Sequence, residues 1–432
     1  MTRIARRKLL TRAGGLAAIL ATGRAPALAA ERSVHWLRWA DFVPASDALL
    51  KGPITQECKK ATGITLRVET VNGNDLQTRI TSAIQSGSGA DIIMAIGNWP
   101  QLYREGVADA ADIAEEIGQA QGGYYDVSRQ VATVGKKWLG VPWAVGGGLI
   151  SWRKSWFEEV GYKDFPETWD TFRDAGRKLK ARGRPIGQTV GHTFGDAPGW
   201  WYPFLWSWGG KEIDADGKTV VLNSKETVES IKFAVALWKE TMDEGGLSWD
   251  DTNNNRAFLA QTISATNNGA SIYIEAKRKP DTYKTEKGTP LRDDIGHAPI
   301  PKGIGGQFNV PGPFTDLLMG YSKNQAAAKD FLRWMHSRPV FEEWFTSQQG
   351  YTCGATLDWE KDKVWQADPV LSPFHDLPRR GRLAGYAGPP DRRSAEVVSK
   401  YIVVDMYAKA IQGMPAADAA KWAHDEVAKV YV

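Results

Sequence analysis

"SVHWLRWADF" (33–42), "SDALLKGPITQECKKATGI" (46–64), "TLRVETVN" (65–72), "NDLQTRITSAIQSGSG" (74–89) and "ADIIMAIG" (90–97) follow one another almost without a gap. The first, third and fifth pieces are short and rich in apolar or β-branched residues, as strands are, and the last is a continuous apolar run of the fully buried kind. The second and fourth carry apolar residues at helical spacing, and the second closes on Gly63. The order β-α-β-α-β predicts a parallel sheet covered on both faces, whose ligands collect beyond the carboxyl ends of the strands. The loops at those ends are Trp39-Ala40-Asp41-Phe42, Asn72-Gly73-Asn74-Asp75 and Gly97-Asn98-Trp99. Each offers an amide, a carboxylate or an indole.

Further along, "KKWLGVPWAVGGGLISWRKSWFEEVGY" (136–162) reads as a strand, a glycine triplet, a second strand and a short helix. "FPETWDTFRDAGRKLKARG", "SKETVESIKFAVALWKETMDEG", "QAAAKDFLRWMHS" and the C-terminal run from Ser394 to Tyr431 are helical by period. The chain has 432 residues, too many for one core to serve, so two lobes are expected. With no repeat or low-complexity linker between them, the lobes are expected to be joined by several short crossings. Tryptophan, at 19 residues, outnumbers both Tyr and Phe at 13 and 14; indoles are favoured where a flat apolar face meets a partly polar partner.

The N-terminus, "MTRIARRKLLTRAGGLAAILATGRAPALAA", has a basic start, an Ala/Leu-rich middle and Ala27-Leu28-Ala29 as a cleavage site. It reads as an export signal over residues 1–29, and Arg6-Arg7 before Lys8-Leu9-Leu10 resembles the twin-arginine type. Its removal takes six basic residues (Arg3, Arg6, Arg7, Lys8, Arg12, Arg24) and no acidic one from a total of 54 basic against 50 acidic, so the +4 balance becomes slightly negative. No basic footprint for nucleic acid remains, and no later segment has the apolar length of a membrane span. The mature protein is expected in the periplasm. An oxidising compartment would permit a bridge between Cys58 and Cys353, the only two cysteines.

No catalytic or metal signature emerges. The six histidines (His35, His192, His297, His336, His375, His424) are scattered, without zinc-ligand spacing. "SGSGAD" lacks the frame of a nucleophile elbow, and "VGGGLI" lacks a phosphate-loop lysine. Carboxylates such as Asp41, Asp75 and Asp316 are read as helix caps or hydrogen-bonding groups rather than a glycosidase pair. No enzyme activity, cofactor or metal is expected.

"GWWYPFLWSWGG" (199–210) concentrates the indoles. Pro198 and Pro203 place a helix start nearby. Helical spacing then puts Trp201, Leu205 and Trp208 on one face and Tyr202 with Trp206 on the next, mostly core. Trp200 would lie in the first turn, where its ring can project into a cleft.

Taken together, "CKKATGITLRV", "ADIIMAIGNWPQLYREGVADAADI", "LGVPWAVGGGLISWRKSWFEEVGYKDFPETWDTFRDAGRKLK", "FLWSWGGKEIDADGKTVVLNSKETVESIKF", "RAFLAQTISATNNGASIY" and "GYSKNQAAAKDFLRWMHSRPVFEEWF" resemble, in order and spacing, the extracellular solute-binding proteins of ABC importers. The similarity is to the sugar-binding branch that includes maltose-binding protein. It covers nearly all of the mature chain. The resemblance implies an α/β, two-lobe, Venus-flytrap fold, each lobe a mixed, mainly parallel sheet flanked by helices. By similarity lobe 1 takes residues 30–143 and 315–367, and lobe 2 takes 144–314 and the C-terminal helices of 368–432. It further implies a carbohydrate ligand held between the lobes, closure by hinge motion, and delivery to the permease subunits of an importer by a monomer that does not itself insert in the membrane.

Carried over position by position, the resemblance points to Trp39, Asp41 and Phe42 after the first strand and to Asn98 and Trp99 after the strand ending at Gly97. At Asn98 and Trp99 an amide and an indole replace the charged pair of maltose-binding protein. Gly146 and Gly147 stand where the family has a carboxylate, and Trp143 either fills that space or is buried in the hinge. Gly199 and Trp200 match the stacking segment ahead of the proline. Asn268 and Gly269 match a tight loop, in which Ser271 replaces a stacking indole; Phe314 and Asp316 lie at the second crossing, and Arg392 or Arg393 falls near the cleft. Indole faces suit the C–H patches of a pyranose and amides or carboxylates suit its hydroxyls. The other readings are a glycerol-phosphate or polyamine binding protein and, from a different class, a secreted carbohydrate-active hydrolase.

Overall fold

The computed structural model describes residues 32–432; the expected export signal at residues 1–29 lies outside the described residues. Apart from a small hairpin pairing Thr133–Val134 with Lys137–Trp138, nine strands build two sheets: β1 (Ser33–Trp39), β2 (Thr65–Val71), β3 (Ile92–Ile96), β4 (Gly140–Gly147), β5 (Leu149–Arg153), β6 (Ala265–Asn268), β7 (Ile295–Ala298), β8 (Pro311–Leu318) and β9 (Cys353–Gly354). The first sheet has the order β9-β4-β8-β3-β1-β2. β1 lies parallel to β2 and β3, while β8 runs antiparallel to both β3 and β4.

The helices between the first strands form where the apolar spacing places them, and their ends are set by local chemistry. Helix Gly73–Ser86 begins where the Asn72 side chain accepts from the Asn74 amide at 2.9 Å, and it stops at Gly87 with φ 62°. The preceding helical run is interrupted by a wide turn at Leu50–Ile54 that accommodates Pro53, before continuing over Thr55–Thr62 to Gly63.

The second sheet is shorter and differs from the mainly parallel one expected: β5 lies between β6 and β7 and runs antiparallel to both. β5 follows β4 through the single residue Gly148, without the helical crossover that parallel neighbours need. Its covering helices include Trp169–Lys180, Asp196–Ser207 and Lys225–Thr241, with Arg392–Ser399, Ile402–Ile411 and Ala416–Val430 added from the C-terminus.

Each sheet has its own core. Trp36, Ile93, Leu317, Phe331 and Trp344 belong to the first, and Ile150, Trp169, Phe204, Leu237 and Tyr407 to the second. A further cluster joins Leu149, Ile272 and Leu291 to Leu371, Phe374 and Leu377. The chain passes between the cores along β4, along β8, and between Trp359, in the first core, and Leu371. Cys58 packs on the β2 side of the first sheet while Cys353 lies in β9 at its opposite edge; both are free and buried, so no bridge joins them. No helix among the described residues is long and apolar enough to cross a membrane.

Candidate functional site

The cleft opens where the carboxyl ends of β1 and β3 meet the glycine crossings of β4 and β8. Trp39, the last residue of β1, forms the centre of an aromatic cup. Its ring centroid lies 5.5 Å from Phe42, 5.7 Å from Phe194, 5.0 Å from Phe314 and 6.3 Å from Tyr351. With Trp99 and Tyr202, seven rings line the cavity. The backbone of Gly146–Gly148 forms another wall. A Cβ on Gly148 would come within 2.8 Å of the Asn267 amide, so a side chain there would displace a polar group from the cleft.

The polar lining consists of amides and carboxylates, and among the described residues it contains no Lys, Arg or His. Asp196 opens helix Asp196–Ser207, and one of its oxygens accepts from Asn254 at 2.6 Å. Asp251 lies under the loop before that helix and accepts from the backbone amides of Phe194 at 3.2 Å and Asp196 at 2.8 Å. Burial raises the proton affinity of both carboxyls, and for Asp196 the neighbouring charge of Asp251 adds to it. The two therefore titrate as a pair that keeps a proton more readily than an exposed carboxylate does. The Asn267 side chain makes no hydrogen bond among the described residues and faces the cavity, as does the Asn98 carbonyl oxygen. The Asn98 amide donates to Ser394 at 3.3 Å.

That bond crosses between the lobes, as do others. Gln77 donates to Ser399 at 2.9 Å and the Phe194 amide donates to Asn74 at 3.1 Å. With the Trp39–Phe194 ring contact, they close the cavity on the side of helix Arg392–Ser399.

Of the thirteen residues expected to line a site, the structure brings Trp39, Phe42, Asn98, Trp99, Gly199, Asn268, Gly269 and Phe314 to the cavity, together with Gly146 and Gly147. Asn268 lies there with its amide committed, donating to Asn255 and accepting from Ser271 at 3.0 Å. Its neighbour Asn267 carries the free group.

Five expectations are corrected. Asp41 turns inward to accept from Val43, Ser46 and Gln348 at 2.8 to 2.9 Å, fixing the first helix. Trp143 fills the first core between Trp36 at 5.3 Å and Trp344 at 4.5 Å. Trp200 is fully buried, 5.6 Å from Trp169, because the helix starts at Asp196 and puts Trp200 in its second turn. Asp316 is buried beneath the sheet, accepts from Trp36 Nε1 at 2.9 Å and faces Arg38. Arg393 is tied to Asp391 and to the Gly217 carbonyl at 2.8 Å. Trp206 is also core, donating to Glu212 at 2.7 Å.

Sequence reasoning missed Phe194, Asp196, Tyr202, Asp251, Asn267 and Tyr351. For Asp196 there was a signal: an acidic residue two positions before Pro198 at a helix start. For Tyr351 and Asp251 there was none, because each reaches the cleft from a distant loop.

Two measurable consequences follow from this geometry. Asp251→Ala leaves the Asp196 amide without its acceptor, leaves the Phe194 amide with Asn74 alone, and removes a carboxylate from the lining. A charge-assisted bond is worth about 1.5–3 kcal/mol, so titration calorimetry should show ligand affinity falling roughly 10- to 100-fold, with Asp251→Asn keeping part of it. Glu212, buried and accepting from Trp206 and the Gly385 amide, has its carboxyl pushed up to about 7 by burial. A raised native pKa contributes stability below the unfolded value that is lost as pH rises through the native one. The melting temperature should therefore fall between pH 5 and pH 8. Glu212 alone accounts for about 3 kcal/mol of that change, and Glu212→Gln should flatten the profile.

The model of the bacterial extracellular solute-binding protein family matches residues 43–340. A probable ABC transporter-binding protein of Deinococcus radiodurans is 23% identical over 302 residues, spanning 67% of this chain and 68% of that protein. Among solved structures, maltose-bound MalE3 of Thermotoga maritima superposes with a TM-score of 0.76 at 19% identity, covering 91% of this chain and 98% of that one. A solute-binding protein of Thermotoga lettingae bound to α-D-tagatose gives 0.77 at 19%, covering 93% and 100%. The solved structures share the two-lobe α/β fold, and the family model spans β3 to β8 and well beyond at both ends: this chain belongs to the bacterial extracellular solute-binding proteins.

Proposed function

We propose that this protein is exported through the signal at residues 1–29 and serves in the periplasm as the receptor of an ABC importer. In this reading it captures a neutral carbohydrate between its lobes and hands it unchanged to the permease. The observation that carries this reading is the composition of the cleft: seven aromatic rings with amides and carboxylates, and no cation among the described lining residues. Ring faces match the C–H patches of a pyranose, and Asp196, Asp251, Asn98 and Asn267 supply acceptors and donors for its hydroxyls. A phosphate ester would meet two carboxylates and no counter-charge, which argues against glycerol phosphate. A polyamine would find carboxylates already engaged by Asn254 and by backbone amides. The maltose and tagatose held by the two Thermotoga proteins support the same chemistry.

The crossings at residues 143–144, 314–315 and 367–368 would serve as the hinge, with β4 and β8 spanning the first two. The hydrogen bonds of Asn74, Gln77 and Asn98 to the second lobe would hold the closed state. A thermal-shift screen against neutral sugars, sugar phosphates and polyamines tests the ligand class. A ligand at a hundred times its dissociation constant stabilises by about 2.7 kcal/mol. Neutral sugars should raise the melting temperature, whereas a shift confined to phosphates or polyamines would refute the carbohydrate assignment.

A further inference from the structure

A second chamber lies beside the cleft and shares Leu383 with it. Its walls also come from both lobes: Tyr124, Tyr125 and Gln130 from the first and Arg382 with Tyr386 from the second. The cavity volume is about 540 Å³, against about 140 Å³ in the cleft. The cleft accommodates little beyond a single small unit, and the larger space opens next to it.

Arg382 is the chemically distinctive group there. Its guanidinium packs against both Phe308 and Tyr386, 4.2 and 4.0 Å from their ring centroids, which lie 6.5 Å apart. Its neighbours Arg379 and Arg380 pair with Glu360 and Asp376. Arg382 has no side-chain hydrogen bond or ion pair among the described residues, so two rings hold it in place while its N–H donors stay uncommitted. A guanidinium fixed in this way presents a rigid planar fork, which suits two oxygens side by side. Vicinal hydroxyls of a sugar ring have that spacing, and the rings of Tyr386 and Tyr124 offer apolar faces close by.

We propose that the cleft and this chamber form one continuous ligand track: the cleft takes the terminal unit of an oligosaccharide and the outer chamber takes the next, with Arg382 donating to its hydroxyls. The proposal rests on the carbohydrate reading of the cleft and assigns Arg382 as a determinant of chain-length preference.

The test is titration calorimetry of the full mature chain with glucose, galactose and their α- and β-linked disaccharides and trisaccharides. In the native protein a disaccharide should bind about tenfold or more tighter than its monosaccharide, the effect of one or two added charge-assisted bonds. Arg382→Ala should remove that gain and leave monosaccharide affinity within about twofold. Arg382→Lys, which keeps the charge and the stem but not the fork, should lose most of the gain and serves equally if the alanine variant does not fold. Affinity independent of chain length, or equal loss for monosaccharide and oligosaccharide in these variants, would overturn the proposal while leaving the carbohydrate reading intact. If no saccharide of any length binds, that reading fails and this inference falls with it.

Discussion

Trp200→Ala should unfold the second lobe long before it affects ligand recognition. Trp200 is fully buried among Trp169, Phe172 and Trp201. Truncating a buried tryptophan costs about 3–5 kcal/mol, through lost burial and the cavity left behind. Its Nε1 has no hydrogen-bond partner among the described residues, so the loss is one of packing and not of a polar contact. Denaturant unfolding should show the full loss, and calorimetry at a temperature where the variant remains folded should show ligand affinity within about threefold of native. A ring that stacked on the ligand would give the reverse pattern, with a small stability change and a large loss of affinity.

An equally large effect is expected at Asp316, for an electrostatic reason. Arg38 is fully buried on β1, its guanidinium makes no hydrogen bond among the described residues, and Trp36, Trp143 and Trp344 surround it at 4.6, 5.2 and 5.9 Å. Burial lowers the proton affinity of Arg38 and raises that of Asp316 to about 6, and each offsets the other through their opposite charges. Removing one member of a buried charge pair costs about 3–5 kcal/mol, and Arg38 would keep only the weaker attraction of Asp41 and Asp47. Asp316→Ala should therefore destabilise the first lobe by that amount. The double variant Arg38→Met with Asp316→Leu should recover most of it, because replacing both members with apolar groups of similar volume is often neutral. A double variant as unstable as Asp316→Ala would show that the pair is needed for more than mutual neutralisation.

The β-α-β-α-β order of residues 33–97 was legible because apolar runs and helical periods are local signals, and β1, β2 and β3 formed as read. The return of β8 into the first sheet was not readable from local pattern. It depends on pairing between Phe314 and Ile96, far apart in sequence, and only the resemblance to a known family implied it. The same division runs through the site. Trp39, Asn98 and Trp99 sit at the ends of strands that the periodicity located, so their placement followed from the fold. Asp41 and Asp316 have the right residue type near the right loops, but a carboxylate near a strand end can equally satisfy buried donors, which both do. Trp200 failed by a few residues of helix register. The two proline signals mark a helix boundary only approximately, and an earlier start at Asp196 turns that indole from the cleft into the core. Asn267 and Asn268 adjoin in one strand and point to opposite sides, so composition alone could not choose between them.

The most direct test of the central claim is titration calorimetry of the mature protein with a neutral sugar selected by the thermal screen, beside the phosphate ester of the same sugar. The cleft described above predicts one site per chain for the neutral sugar, weakened by Asp251→Ala and preserved in the folded Trp200→Ala protein, with no binding of the ester. Tight binding of the ester with none of the neutral sugar would contradict it.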